Sequence, residues 1–410
     1  GNLVFGTVTN ATLGELNGDH LLTLTNAGSS AVALTIGAND GDGFFTGSIN
    51  GTGNLTKVGN GTLTLSGGVA NFTGGVVVNG GTLTLGGTNN WGGTTSIGAN
   101  GTLNLGDFSN DFTLPGTGNV SNNGTFNYNE ALGNTVTYAG VVSGSGNTNY
   151  NGTSASVFEN FGTGSNITSV STFGTTFILT GASTGTGNTT INNAIAVLQG
   201  SLASHLIVSS GAFLAGNGTI NNNVEMDGSF SPGINQTVNY ATVPHKGSKG
   251  TAVALVTTTI NGNLTWNSDG SQINYFHLSG TDNTSDKVVV NGNISYFGAG
   301  DIEFDFQDTG FFNGVSGTVY TLLTSNTDLT TIGLTAANFH AINVGPGGSY
   351  DNIGQSYFLL ANGGKNLEFI VVPEPAAWGL MAGGLMLLLG LRRKRQAKLA
   401  ATATTDDSEV

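Results

Sequence analysis

The side chains that could carry chemistry are few and scattered along the 410 residues. Asp301, Glu303 and Asp305 alternate with Ile302, Phe304 and Phe306, which puts three carboxylates on one face of a strand and three apolar groups on the other. Glycoside hydrolysis needs paired carboxylates, and such a row could also begin a calcium site. The plainer reading is a solvated face above a buried one. Asp40-Gly41-Asp42-Gly43 has oxygen ligands and tight turns but lacks the further ligands of a calcium loop, so it reads as a polar turn. A polysaccharide lyase would require a Lys or Arg base beside its carboxylates. Upstream of Arg392 there is no Arg, and Lys57, Lys246, Lys249, Lys287 and Lys365 are not placed beside an acidic cluster by spacing. His20, His205, His245, His277 and His340 lack a metal-ligand spacing and read as turn or surface residues. Gly51-Thr52-Gly53, Gly116-Thr117-Gly118, Gly144-Ser145-Gly146 and Gly216-Asn217-Gly218 lack the third glycine of a dinucleotide loop and any following Walker lysine. No catalytic residue, metal ligand or cofactor is assigned, and the expectation is a protein that is not an enzyme.

The elements that would position any site are set by internal repeats. Gly61-Thr62-Leu63-Thr64-Leu65 returns as Gly81-Thr82-Leu83-Thr84-Leu85 and as Gly101-Thr102-Leu103-Asn104-Leu105, with a looser copy at Gly124-Thr125-Phe126-Asn127-Tyr128. Each copy alternates apolar and polar residues, the period of a strand with one buried face, and each starts at a glycine where the chain can turn. Val76-Val77-Val78 and the run from Thr94 to Ile97 give a second strand between copies. A unit of about 20 residues cannot bury its own apolar side, so copies must stack, as in a parallel β-helix. Leu63, Leu83 and Leu103 would form one inward ladder. The abundant Asn and Thr suit turns and outward faces, where stacked amides can bond from rung to rung.

Composition agrees with a rod of strands and excludes several functions. Charged residues are 8% of the chain, Gly numbers 68 and Cys is absent. Without cysteine there are neither disulfides nor thiolate metal sites. The formal net charge of −14 repels phosphate backbones, which argues against nucleic acid as a partner. Near residue 240 the acidic residues become denser and the repeat lengthens, Asn261-Gly262-Asn263 returning as Asn291-Gly292-Asn293. The expected organisation is a β-helix of short repeats over 1–240, an exposed loop over 241–250, and longer rungs or a β cap over 251–372. Asn-x-Thr/Ser acceptors such as Asn71 and Asn263 recur, and in so Asn- and Thr-rich a chain chance explains most of them.

Gly51-Thr52-Gly53-Asn54-Leu55-Thr56-Lys57, Gly61 to Leu65, Phe72-Thr73-Gly74-Gly75 and Gly81 to Leu85 together resemble the autotransporter-associated β-strand repeat of bacterial passenger domains. Gly216 to Ile220 and Ser231-Pro232-Gly233 are similar to later rungs of such passengers. The resemblance implies a right-handed parallel β-helix outside a diderm bacterium and implies no particular activity, since passengers include adhesins and enzymes. The chain departs from autotransporters in having no sequence for a C-terminal outer-membrane barrel.

The last forty residues follow different rules. Of ten Lys and Arg residues, five lie between Arg392 and Lys398. Pro373-Glu374-Pro375 ends the strand pattern, residues 376–391 carry no charge, and Arg392, Arg393, Lys394 and Arg395 follow at once. An apolar span and then a basic cluster predicts a transmembrane helix with its C-terminal end in the cytoplasm. Sixteen residues interrupted by Gly379, Gly383, Gly384 and Gly390 is short for permanent residence. The three parts resemble the PEP-CTERM sorting signal, which implies recognition of Pro373, Glu374 and Pro375 by an exosortase-type processing enzyme. It also implies a transient stay in the inner membrane and release to the cell surface or matrix. Residues 396–410 extend past the point where such signals usually stop, as a polar cytoplasmic tail. The start at Gly1 carries the expectation that a signal peptide has been removed. The function these readings favour is an exported adhesive or matrix protein associated with extracellular polysaccharide. The alternative is a β-helical lyase or hydrolase.

Overall fold

Alternation dictates the strands, and stacking dictates their order. Thr62–Leu65 pairs in parallel with the second half of Val76–Leu85, which pairs in parallel with the second half of Thr95–Leu105. The register sets Leu63 on Leu83 on Leu103 and Leu65 on Leu85 on Leu105, all six buried. The intervening threonines point outward and are half-buried. The repeat in the sequence is therefore one full turn of a solenoid, each residue of these second-face strands lying on its counterpart in the next coil. Glycine at the corner has a steric cause. Gly81 has a φ of 60°, and an added Cβ would collide with the Gly61 carbonyl oxygen of the coil above.

This computed structural model describes residues 3–67, 70–87, 91–106, 119–130, 135–137, 142–152, 157–159, 167–179, 181–185, 187–232, 255–268, 270, 272–279, 284–298, 301–308, 318–342 and 356–371. The fold is all-β, a parallel β-helix whose strands recur on three faces. The first face begins with Asn10–Leu13, Ala33–Ile36 and Asn54–Lys57 and passes through the leading halves of the two long strands to Val120–Asn122 and Val142–Ser143. The second takes Gly43–Phe45, Thr62–Leu65, the trailing halves of the long strands, Thr125–Glu130 and Asn147–Gly152. It then runs through Ile167–Leu179, Asn188–Leu198, His205–Val208, Val224–Met226 and Leu264–Ser268 to Ile294–Gly298. The third starts with Leu22–Leu24, Ile49–Gly51 and Ala70–Phe72.

The coils lengthen where the composition changes. Stacked partners lie 20 residues apart at Thr84 and Asn104, 40 apart at Asn221 and Asn261, and 30 apart at Asn261 and Asn291. Thr257–Ile260 nevertheless pairs in parallel with Thr219–Ile220, so the ladder continues beyond the expected loop at 241–250, which lies outside the described residues. The ladder ends by a change of direction. Asn366–Ile370 pairs antiparallel with Val319–Ser325 and with Tyr357–Ala361. Behind this hairpin Phe304, Phe306, Phe339, Phe358 and Phe369 pack ring on ring, the closest centroids being 4.3 Å apart, and close the core. The only helical turns among the described residues are the short 3-10 segments Leu329–Ile332 and Ala336–Asn338. No helix among them is long and apolar enough to cross a membrane, and the expected span 376–391 falls outside them.

One part of the third face is buried on both sides. Ile178, Ile195, Val197, Ala215 and Tyr275 form a second apolar cluster, separate from the core inside the coils. The sequence carries its signal at Ala194-Ile195-Ala196-Val197-Leu198, an unbroken apolar run, which is how a strand covered on both faces reads.

The ladder gives an unambiguous energetic test. Leu83→Ala should lower the free energy of unfolding by about 2–5 kcal/mol, the usual cost of a buried Leu truncation. Thr64→Ala, one coil away but outward, should change it by less than about 0.5 kcal/mol in the same urea titration.

Candidate functional site on the second face

The outward side of the second face is built from two columns of neutral hydrogen-bonding groups. Register places Thr62, Thr82, Thr102, Thr125 and Asn147 in one, and Phe44, Thr64, Thr84, Asn104, Asn127 and Asn149 in the other. The second column is bonded from Thr84 to Asn149. Asn104 Nδ2 donates to Thr84 Oγ1 at 3.1 Å, Asn127 Nδ2 to Asn104 Oδ1 at 2.8 Å, and Asn149 Nδ2 to Asn127 Oδ1 at 2.7 Å. Phe44, 57% exposed, heads the column. Coils are about 4.8 Å apart and alternate residues on a strand about 6.8 Å apart, so these groups form a flat, regular grid. A surface of this kind can exchange hydrogen bonds with a polymer that repeats hydroxyl groups at a similar pitch.

The stacked amides foreseen from composition recur at the corners. Asn261 Nδ2 donates to Asn221 Oδ1 at 2.8 Å and Asn291 Nδ2 to Asn261 Oδ1 at 2.7 Å. Beside them Asn223 and Asn263 accept the backbone N–H of Asn263 and Asn293, each at 2.9 Å.

Lys57, Asp40 and Asp42 brace the scaffold. Lys57 points inward between Ile36 and Val78 and is fully buried. Its Nζ donates to the carbonyl oxygens of Val58 at 2.7 Å, Gly59 at 3.3 Å and Gly80 at 3.4 Å, bracing the corner between the first and second faces. Burial holds its ammonium below the ordinary lysine value, while the Asp40 and Asp42 carboxylates pull the other way. Asn122, also buried, follows in the same inward column and braces the same corner, donating to Asn147 O at 2.8 Å. Asp40 and Asp42 use their carboxylates on the next coil, accepting Asn60 N at 2.7 Å and Thr62 N at 2.6 Å. They form the polar turn that the sequence suggested.

Asp301, Glu303 and Asp305 do alternate with three buried apolar side chains, yet they do not share a solvated face. Asp301 is exposed, with Oδ2 3.5 Å from His340 Nε2, Glu303 is half-buried and Asp305 is fully buried. Asp305 lies in register with Tyr275 of the second apolar cluster, so its end of the strand is covered. His277 also departs from expectation, since it is a buried residue and neither a turn nor a surface one. Its Nδ1 meets Asp286 Oδ2 at 2.7 Å, and that oxygen also accepts His277 N at 2.7 Å while Oδ1 accepts Val256 N at 2.9 Å. The Asp286 carboxylate thereby ties three chain segments together. The signal missed was position, since His277 stands in the run Ile273–Leu278, buried at every residue but the first. Among the described residues no group of three or more His, Asp or Glu side chains is placed to hold a metal. Lys246, Lys249, His245 and the sorting-signal residues Pro373, Glu374, Pro375, Arg392, Arg393, Lys394 and Arg395 lie outside the described residues.

Residues 55–85 match the family Passenger-associated-transport-repeat. The match covers Lys57 and the grid positions Thr62, Thr64, Thr82 and Thr84. Among solved structures the chain is similar to the Haemophilus influenzae Hap adhesin, at 13% identity and a TM-score of 0.40, over 87% of this chain and 43% of that one. The chain therefore spans less than half the length of that protein. No curated protein matches it.

Substitutions at two positions test the buried polar groups. Lys57→Ala should destabilise the fold by about 2–4 kcal/mol through lost packing and unsatisfied carbonyl groups, and Lys57→Met by less. A lysine with a lowered folded pKa binds fewer protons folded than unfolded, so stability should rise as pH climbs from that lowered value toward about 10.4. Lys57→Met should lose this alkaline rise in urea titrations. Asp286→Ala should cost about 3 kcal/mol or more, because it strands the buried His277 N and Nδ1 and the part-buried Val256 N at once.

Proposed function

We propose that this chain is a non-enzymatic exported protein of the cell surface or extracellular matrix of a diderm bacterium, an adhesive rod that associates with neutral extracellular polysaccharide. The observation that carries the reading is the neutral grid of Thr62 to Asn147 and Phe44 to Asn149. Its hydroxyl and amide groups suit the hydroxyls of a sugar polymer, and Phe44 offers an apolar face on which a ring can stack. A net charge of −14 opposes polyanionic glycans, so the neutral class is favoured. The passenger-type repeat at 55–85 supports an extracellular setting.

In the same reading Pro373, Glu374 and Pro375 are the recognition residues of a PEP-CTERM sorting signal. The apolar span 376–391 holds the chain in the inner membrane while Arg392, Arg393, Lys394 and Arg395 stay in the cytoplasm. An exosortase-type enzyme then releases the rod outward.

Two measurements test these parts. Affinity electrophoresis in neutral polysaccharide gels should retard the wild-type chain, and Phe44→Ala combined with Thr84→Glu should weaken the apparent affinity about tenfold, or about 1.4 kcal/mol. Migration equal to that of an inert protein would refute the polysaccharide reading. Intact mass of the protein from its native cell surface should place the C-terminus near Pro375, and one beyond Arg395 would refute processing.

A further inference from the structure

Exposed large apolar side chains are confined to the two ends of the described structure. Leu3, Val4, Val8, Leu21 and Phe44 lie in the opening coils, and Phe297, Val319, Tyr357 and Leu359 in the last coil and its cap. Among the described residues none lies between Phe44 and Phe297. At the cap these residues are aligned. Val319 pairs with Ile370, and Ile370 pairs with Tyr357, so the three form one row across three adjacent strands. Leu359 continues it on the same face of the edge strand, beside Glu368. Val319 is 38% exposed, Tyr357 50% and Leu359 40%, whereas Tyr320, Phe358 and Phe369 on the opposite face are buried in the core.

Ile370 stands in the middle of this row and is also where the sheet hands the chain to its tail. The five residues 371–375 then span at most about 18 Å before the uncharged run 376–391 begins. We infer that the row Val319, Ile370, Tyr357 and Leu359 is a membrane-facing surface, seated in the lipid headgroup layer while the tail is inserted. The inference rests on the tail reading given under the proposed function. Three apolar side chains and a tyrosine suit the interfacial layer, where Tyr is enriched and where apolar groups leave water without entering the hydrocarbon. Seating the cap there would hold the Pro373-Glu374-Pro375 step at the bilayer surface, within reach of an enzyme embedded in it.

The absence of cysteine makes the test direct. Tyr357→Cys and, as a reference at the far end, Val8→Cys would each be labelled with an environment-sensitive nitrobenzoxadiazole dye in the full chain. The chain would be reconstituted into phosphatidylcholine vesicles containing a minor fraction of phosphatidylglycerol. The dye at 357 should emit further to the blue than the dye at 8, and aqueous dithionite should bleach it several-fold more slowly. Leu359→Cys should behave as Tyr357→Cys does. Equal bleaching at 357, 359 and 8 in chains that float with the vesicles would overturn the membrane-facing row and leave the tail reading standing. Failure of the chain to float at all would overturn both.

Discussion

Parallel pairing between coils is the constraint from which the rest of this molecule follows. Because strands in successive coils meet in register, a strand residue lies on its partner one coil away, about 4.8 Å off, apart from bulges such as that between Ile97 and Asn100. A choice made once is therefore repeated down a column. Inward columns become continuous stacks, as in Leu65, Leu85, Leu105, Tyr128 and Tyr150, whose last two rings lie 5.0 Å apart and nearly parallel. Outward columns become chains of like polar groups, and corners keep glycine where the next carbonyl leaves no room for a Cβ.

The same constraint accounts for the sparse charge. A Lys or Glu fixed in a repeat would face its own kind along the column, at roughly 1 kcal/mol of repulsion per neighbouring pair even in water. Thr and Asn avoid that cost, and Asn turns stacking into bonding because its amide both donates and accepts. Three of the charges in the repeats satisfy backbone groups of their own corner or of the next coil. Lys57 donates to carbonyls, and Asp40 and Asp42 accept from amides, so each acts as a brace at a turn.

The two halves handle their ends and flanks differently. From Ile178 to Tyr275 the third face carries a second apolar layer, further on the coils lengthen, and an antiparallel hairpin backed by phenylalanines stops the ladder. A reversal of strand direction halts coil-on-coil growth and leaves an edge strand carrying Tyr357 and Leu359.

Much of the architecture was legible in the sequence, because a stacked repeat writes its tertiary contacts into its spacing. The 20-residue recurrence of Gly-Thr-Leu-x-Leu determined the strands, their parallel order and the inward leucine ladder, and the 30-residue recurrence of Asn-Gly-Asn determined a stacked turn. The candidate grid was legible as composition, although not as two columns on one face. Tertiary structure alone decided what non-repeating residues do. Alternation correctly put Asp305 opposite Phe304 and Phe306, but period two says nothing about what covers the outer side, and Asp305 is buried there. His277 and Asp286, nine residues apart, meet because a coil folds back between them, and no spacing rule encodes that. Lys57 looked like one more repeat position. Its inward place in the strand, with three carbonyls within reach of its long stem, made it a brace. Local periodicity sets which side of a strand a residue occupies, and only the packed fold sets what that side meets.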